Sequence, residues 1–322
     1  MNDSAITAWP ELHYDEWSAS CSTLHLWTQI AGKIRLAQTP WLNHSWHVPL
    51  YVTVEGLSTS PIPYGNRTFE IRFDLHEHLL VIAVSDGASM RLPLRPQSVA
   101  DFFSTVMGAL RELGISVAIT ELPCEIAGAV PFSRDTTHAA YDAEYAQRFW
   151  RVLLQADRVF NLFRSGFIGK CSPVHFFWGS FDLAVTRFSG RRASPFARKV
   201  PGLAAKVMQE AYSHEVSSAG FWPGGNGVDA AFYSYAYPEP PGFRAMPVRP
   251  GEAVFSETLG EFLLPYDVVR RAADPEGTLL AFLHSTYEAA ALSAKWDRSA
   301  LECAEGRPGI CRVVDGTRAD PG

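Results

Sequence analysis

The chain has 322 residues, enough for one large domain or two of about 150 and for a core that needs no disulfide or metal staple. Hydrophobic residues make up 47% and charged residues 19%, which excludes a disordered chain and a coiled coil, while 12% aromatic residues imply large cores or an aromatic-walled pocket. The net charge of −6 comes with no concentrated Lys/Arg stretch, which argues against a nucleic-acid partner, and the longest aliphatic run, Leu79 to Val84, is far too short to span a bilayer.

In chain order, a helical stretch leads into LHLWTQIAGK (24–33), whose Gly-Lys reads as a helix end, and then into an aromatic strand, HSWHVPLYVTVEG (44–56). RTFEIRFD (67–74) alternates Phe69, Ile71 and Phe73 against Glu70, Arg72 and Asp74, the period of a half-buried strand, and LLVIAVS (79–85) pairs with it across a polar turn. Helical spacing of Phe102, Val106, Ala109, Leu110 and Leu113 predicts a helix over 99–113, stopped by Gly114. After a turn-rich stretch at 123–137, Tyr145, Phe149, Leu153, Ala156, Phe160 and Phe163 mark an amphipathic helix over 141–163. NLFRSGFIGK (161–170) and the strand HFFWGSFDLAVTRFSG (175–190) follow, then strand candidates at 215–221 and 230–237 around the turn PGGNG (223–227), and a helix over 279–294.

The two Gly-Lys segments, each followed by an aromatic strand, two further strands and a closing helix, predict an α+β fold. It would be a duplicated α-β-β-β-α unit with antiparallel sheets and pseudo-twofold symmetry. The halves would be 1–122 and 138–301, with 123–137 as linker and 302–322 as a flexible tail. Five scattered cysteines and an N-terminus, Met1 to Ser4, without a basic or apolar signal segment point to reduced thiols in a cytoplasm.

Polar residues interrupt the aromatic strands at four places. Asn43-His44-Ser45-Trp46-His47 offers two histidines that point to opposite faces if the strand is regular. Lys170 and Cys171, four residues before His175, form the kind of setting that lowers a thiol pKa, and Asp182 needs a partner if it is buried among so many rings. His214 and Glu215 head another strand, and FWPGGNG (221–227) suggests a turn or a close backbone approach. There is no Gly-x-Gly-x-x-Gly, Gly-x-Ser-x-Gly, His-Glu-x-x-His or Cys-x-x-Cys, so common nucleotide, serine-hydrolase and zinc-protease chemistries have no local support.

Across LHLWTQIAGKIRL (24–36), LSTSPIPYG (57–65), GKCSPVHFFWGSFDLAVTRFSGR (169–191), SHEVSSAGFWPGG (213–225) and YAYPEPPGF (235–243), the chain resembles the bacterial domain-of-unknown-function family 5996. That resemblance names relatives and implies no catalytic role. The residues themselves lead to the expectation of a cytoplasmic enzyme, monomeric or homodimeric, acting on a small organic molecule in an aromatic pocket. His175 and His214 would act as acid/base groups or metal ligands, oriented by Glu215 or Asp182, with His44 and His47 completing a zinc or iron site. Two alternatives stand beside it: Cys171 as nucleophile next to Lys170 with His175 as base, and a non-catalytic small-molecule binder.

Overall fold

The computed structural model describes residues 8–197, 199–225 and 227–312. The first part of the chain forms α1 (Tyr14–Gln38), then β1 (Tyr51–Val52), β2 (Gly56–Ser58), β3 (Ile62–Tyr64), β4 (Arg67–Asp74), β5 (Leu79–Val84), β6 (Ser89–Pro93) and α2 (Val99–Glu112). The second part forms α3 (Ala143–Ser165), β7 (His175–Phe177), β8 (Asp182–Arg192), α4 (Ala205–Ala211), β9 (His214–Gly225) and β10 (Val228–Tyr237). It continues through β11 (Val254–Ser256), β12 (Glu261–Pro265), α5 (Tyr266–Arg271), α6 (Pro275–Ser293) and α7 (Arg298–Leu301). The class is α+β, and every strand pair is antiparallel.

Local sequence accounts for several boundaries. Ser98, Asp142 and Asp274 cap α2, α3 and α6 by accepting from the N–H groups of Asp101, Tyr145 and Gly277, and Pro275 opens α6 where its missing N–H costs nothing. Gly114, at φ 69°, stops α2 in the left-handed region that glycine enters freely.

The first sheet runs β1-β2-β4-β5-β6, with β3 also on β4, and the second runs β11-β12-β10-β9-β8-β7. An antiparallel bridge between Leu50 and Phe176, with both N–H···O bonds at 2.8 Å, joins them where the chain enters β1 and at the edge strand β7. Each sheet therefore has six strands among the described residues, where the sequence suggested three per half.

The expected equivalence of the two Gly-Lys pairs does not hold. Gly32 and Lys33 lie inside α1, whereas Gly169 and Lys170 lie in the loop after α3. Gly32 is small for packing: a Cβ there would stand 2.2 Å from the Trp178 indole nitrogen. Nor are residues 44–47 strand; Asn43–Ser45 form a 3-10 turn, with His44 and Ser45 at φ 55° and 58°. The segment read as one strand over 175–190 is two, broken by a turn at residues 178–181.

Within residues 123–137, Cys124, Phe132 and Asp135 are buried, while most of the others are exposed. Of the segment expected as a flexible tail, residues 302–312 are docked on the end of α3: Glu302 bridges Phe167, and Gly306 N–H donates to Ser165 Oγ at 2.9 Å. Residues 313–322 lie outside the described residues, as does Asn226 of the PGGNG turn.

Helices α3, α5 and α6 and the pocket occupy opposite faces of the second sheet. On β8, Leu183, Val185 and Arg187 turn toward the helical side, where Arg187 stacks on the rings of Phe163 and Tyr287 at 3.5 and 4.4 Å. Asp182, Ala184, Thr186 and Phe188 turn the other way, under a cover formed by α4 and residues 44–48 and 124–125.

Candidate functional site

That second face holds a cavity of about 230 Å³. Trp46, Phe177, Trp178, Phe188 and Met208 give it apolar walls, and Asp182, Ser180, Glu125, Tyr212, Tyr233 and Tyr235 give it polar groups. A mostly apolar hollow with a few placed polar groups is the form small-molecule sites take.

Its acidic end is built by a turn and clamped by a helix. Phe181 sits at φ 60°, a backbone conformation that costs a non-glycine residue of order 1 kcal/mol and persists only when packing over-determines it. The packing is present: the Phe181 ring is buried, stacked on His25 and Phe149 at 4.9 and 5.2 Å. The turn brings Ser180 beside Asp182, and the hydroxyls of Ser180 and Tyr233 both donate to the Asp182 carboxylate. Burial raises the Asp182 pKa, and the two hydroxyl donors oppose that rise.

From α1, His25 Nε2 meets Gly179 O at 2.9 Å, and Gln29 takes both backbone groups of Cys124, its amide donating to Cys124 O and accepting from Cys124 N at 2.9 Å each. Glu125 follows at φ 61° as an exposed residue at the rim of the cavity; together with Gly179 and Ser180 it also lines a wider groove of about 740 Å³. Glu125, Asp182 and Glu261 line a third hollow with Trp222 and the three tyrosines. Burial, reinforced by the charge of Asp182, pushes both Glu125 and Glu261 up to about 7.

These shifts set a sign for stability. A carboxyl with a usual pKa of 4.5 that titrates near 7 when folded holds its proton more tightly in the native state, so its contribution falls as pH rises from about 4.5 to 7. His175 and His25, driven by burial down to about 3 and 4, act oppositely, and their contribution is complete above about 6.5. The groups facing Glu125 and Glu261 are Asp182, Tyr212, Tyr233 and Tyr235, with Cys124 beside Glu125. Urea midpoints at pH 5.5 and 8 should therefore drop less in an E125Q/E261Q double variant than in the parent; equal drops would refute the assignment.

Of the residues singled out from sequence, Asp182, His175 and His44 line the cavity. His44 is fixed from both sides: Lys170 Nζ donates to its Nε2 at 2.6 Å, and its Nδ1 meets Ala211 O at 3.2 Å. Lys170 itself is exposed, its ammonium 4.8 Å from the Phe188 ring centre. His47 turns away from the cavity, accepting from Leu42 N–H at 3.1 Å with its ring centre 4.7 Å from that of Trp41.

The expected meeting of His175 and His214 fails by register. His175 is level with Ala184, which pairs with Gly220, and His214 lies six residues from Gly220 along β9, about 20 Å away. His214 stands instead beside His44, ring centres 6.1 Å apart. Among the described residues no three His, Cys, Asp or Glu side chains are placed to hold one metal ion, so the zinc or iron set does not assemble.

Glu215 is held outside the cavity by Arg191 at 2.6 Å, with Ser189 donating to it. Cys171 fails as partner of His175 because directly opposed residues share a face. Cys171 pairs with Arg187 on the helical side, while His175 pairs with Ala184 on the cavity side. Burial also raises the Cys171 pKa, against a thiolate.

The sequence reading passed over Glu125, Glu261, Gln29, Tyr212, Tyr233 and Tyr235. Only the tyrosines of AAFYSYAY carried a signal, since alternation puts Tyr233 and Tyr235 on one face.

No curated protein and no solved structure matches this chain. The model of a family described as a family of unknown function, DUF5996, matches residues 9–303, and the chain belongs to that family.

Proposed function

We propose that this chain binds a small organic molecule in the cavity between β8, α4 and residues 44–48. The observation that carries the reading is the aromatic hollow whose one end is a carboxylate held by two hydroxyls. The cavity volume, about 230 Å³, lies below the usual range for drug-sized ligands and suits a small one. The metal-histidine and Cys171 versions of an enzyme lose their geometric basis in the register of β7, β8 and β9.

A catalytic role is the second reading, favoured by Glu125. A carboxyl held near 7 at the mouth of a pocket can both take and give a proton at neutral pH.

The test is saturation-transfer NMR with the neutral probe 3-phenylpropan-1-ol. Ala184 is buried in the cavity wall, so Ala184→Phe fills the space a ligand needs. The parent should show transfer that Ala184→Phe loses while keeping its circular dichroism spectrum. Equal transfer to both proteins would move the binding elsewhere.

A further inference from the structure

We infer that the ligand is an organic cation, a primary ammonium or amidinium on a flat apolar body, seated with its charged nitrogen at Asp182. The inference rests on the small-molecule reading of the cavity and adds the ligand's charge to it.

Three carboxyl groups, Glu125, Asp182 and Glu261, line one hollow, and among the described residues none of them forms an ion pair with Lys, Arg or His. Asp182 is only 7% exposed. A buried negative charge is normally paired, because desolvation penalises it heavily. Two hydroxyl donors occupy part of the acceptor capacity of Asp182, which is about four lone-pair sites, and leave the rest for a cationic donor.

The surrounding chemistry has the same sign. Tyr212 and Tyr235, their hydroxyls 2.9 Å apart, line this hollow, and aromatic rings attract cations. No basic side chain lines this hollow among the described residues. The basic pair at the other end of the first cavity, His44 in its lining with Lys170 bound to it, stands beside Phe188, six residues from Asp182 along β8 and about 20 Å away.

The wall of the inner cavity also holds an unsatisfied polar atom. His175 lines it at 1% exposure, and its Nδ1 has no hydrogen-bond partner among the described residues. Nearly all buried polar groups find a partner, which makes this unsatisfied nitrogen in the cavity wall unusual. Anionic ligands are disfavoured by the same carboxyls, which makes the site selective by repulsion as well as attraction.

Calorimetric titration at pH 8 tests this with three probes of similar shape: 2-phenylethylammonium, 3-phenylpropan-1-ol and 3-phenylpropionate. The ammonium should bind about tenfold or more tighter than the alcohol, the gain of a charge-assisted hydrogen bond, and the carboxylate weakest. Asp182→Asn should weaken the ammonium about tenfold and leave the alcohol within about twofold, which also reports that the variant is folded. Glu125→Gln should weaken the ammonium selectively too, and Lys170→Met should leave it unchanged.

If the alcohol or the carboxylate binds as tightly as the ammonium, or Asp182→Asn leaves the ammonium unaffected, the cation assignment is wrong while the cavity reading stands. If none of the three binds, both fall. Saturable heat from Mg²⁺ or Ca²⁺ alone, lost in Asp182→Asn, would replace the organic cation with a metal ion.

Discussion

Replacing Gly32 with alanine lowers stability by roughly 2 kcal/mol and disturbs the cavity with it, although alanine is the better helix former. Taken alone, the change inside α1 would gain up to about 1 kcal/mol of helix propensity. The added methyl, however, would stand 2.2 to 2.3 Å from three atoms of the Trp178 indole. That ring has little room to yield: it is 5% exposed, and its Nε1 donates to Val48 O at 2.8 Å. Accommodating the methyl means pushing Trp178, a cavity wall, away from α1 and breaking that bond. Denaturant unfolding and 3-phenylpropan-1-ol binding together check this. A variant more stable than the parent, with binding intact, would show that Gly32 is there for some other reason.

The second large effect belongs to Gln29. Its side chain is fully buried and makes the pair of bonds that a neighbouring strand would make to Cys124 N–H and C=O. Gln29→Leu keeps similar bulk and helix propensity but leaves both backbone groups without their partner inside the protein. At about 1–3 kcal/mol for each unsatisfied group, partly offset by no longer burying the amide, the expected loss is about 2–4 kcal/mol. Because Glu125 is the next residue, the same change should loosen the acidic end of the cavity. Amide exchange at Cys124 and Glu125 should accelerate more than exchange at Phe69 or Ile71 in the first sheet. Uniform acceleration would mean that Gln29 supports the whole core and not this wall.

Both predictions rest on contacts far apart in sequence, and that separates what could be read from the chain from what could not. Arg67–Asp74 and Leu79–Val84 were legible because alternation and a polar turn are local signals, and the pairing Phe69 to Val84 through Asp74 to Leu79 follows from them. The helices over 99–112 and 143–165 were legible from the spacing of Phe102, Val106 and Leu110 and of Phe149, Leu153 and Phe160.

Gly32 was misread because its reason is Trp178, far along the chain, and no local pattern carries that contact. Residues 178–181 were misread because Phe181 adopts a left-handed conformation that its own chemistry disfavours, imposed by His25 and Phe149. The histidines were sound candidates as residue types, yet which of them meet is decided by register, and register shifts displace side chains by whole strand repeats. His175 with Asp182 on one face and Cys171 with Arg187 on the other is a consequence of that rule. Glu125 and Glu261 belong to no motif, and only the folded sheet brings them to Asp182.

A crystal structure of the full chain with 2-phenylethylammonium tests the central claim most directly. The account predicts electron density for one probe molecule inside the cavity, its ring against the aromatic wall and its nitrogen within hydrogen-bonding distance of the Asp182 carboxylate. A cavity without density at saturating probe, or a probe lying with its nitrogen toward His44 and Lys170, would contradict it.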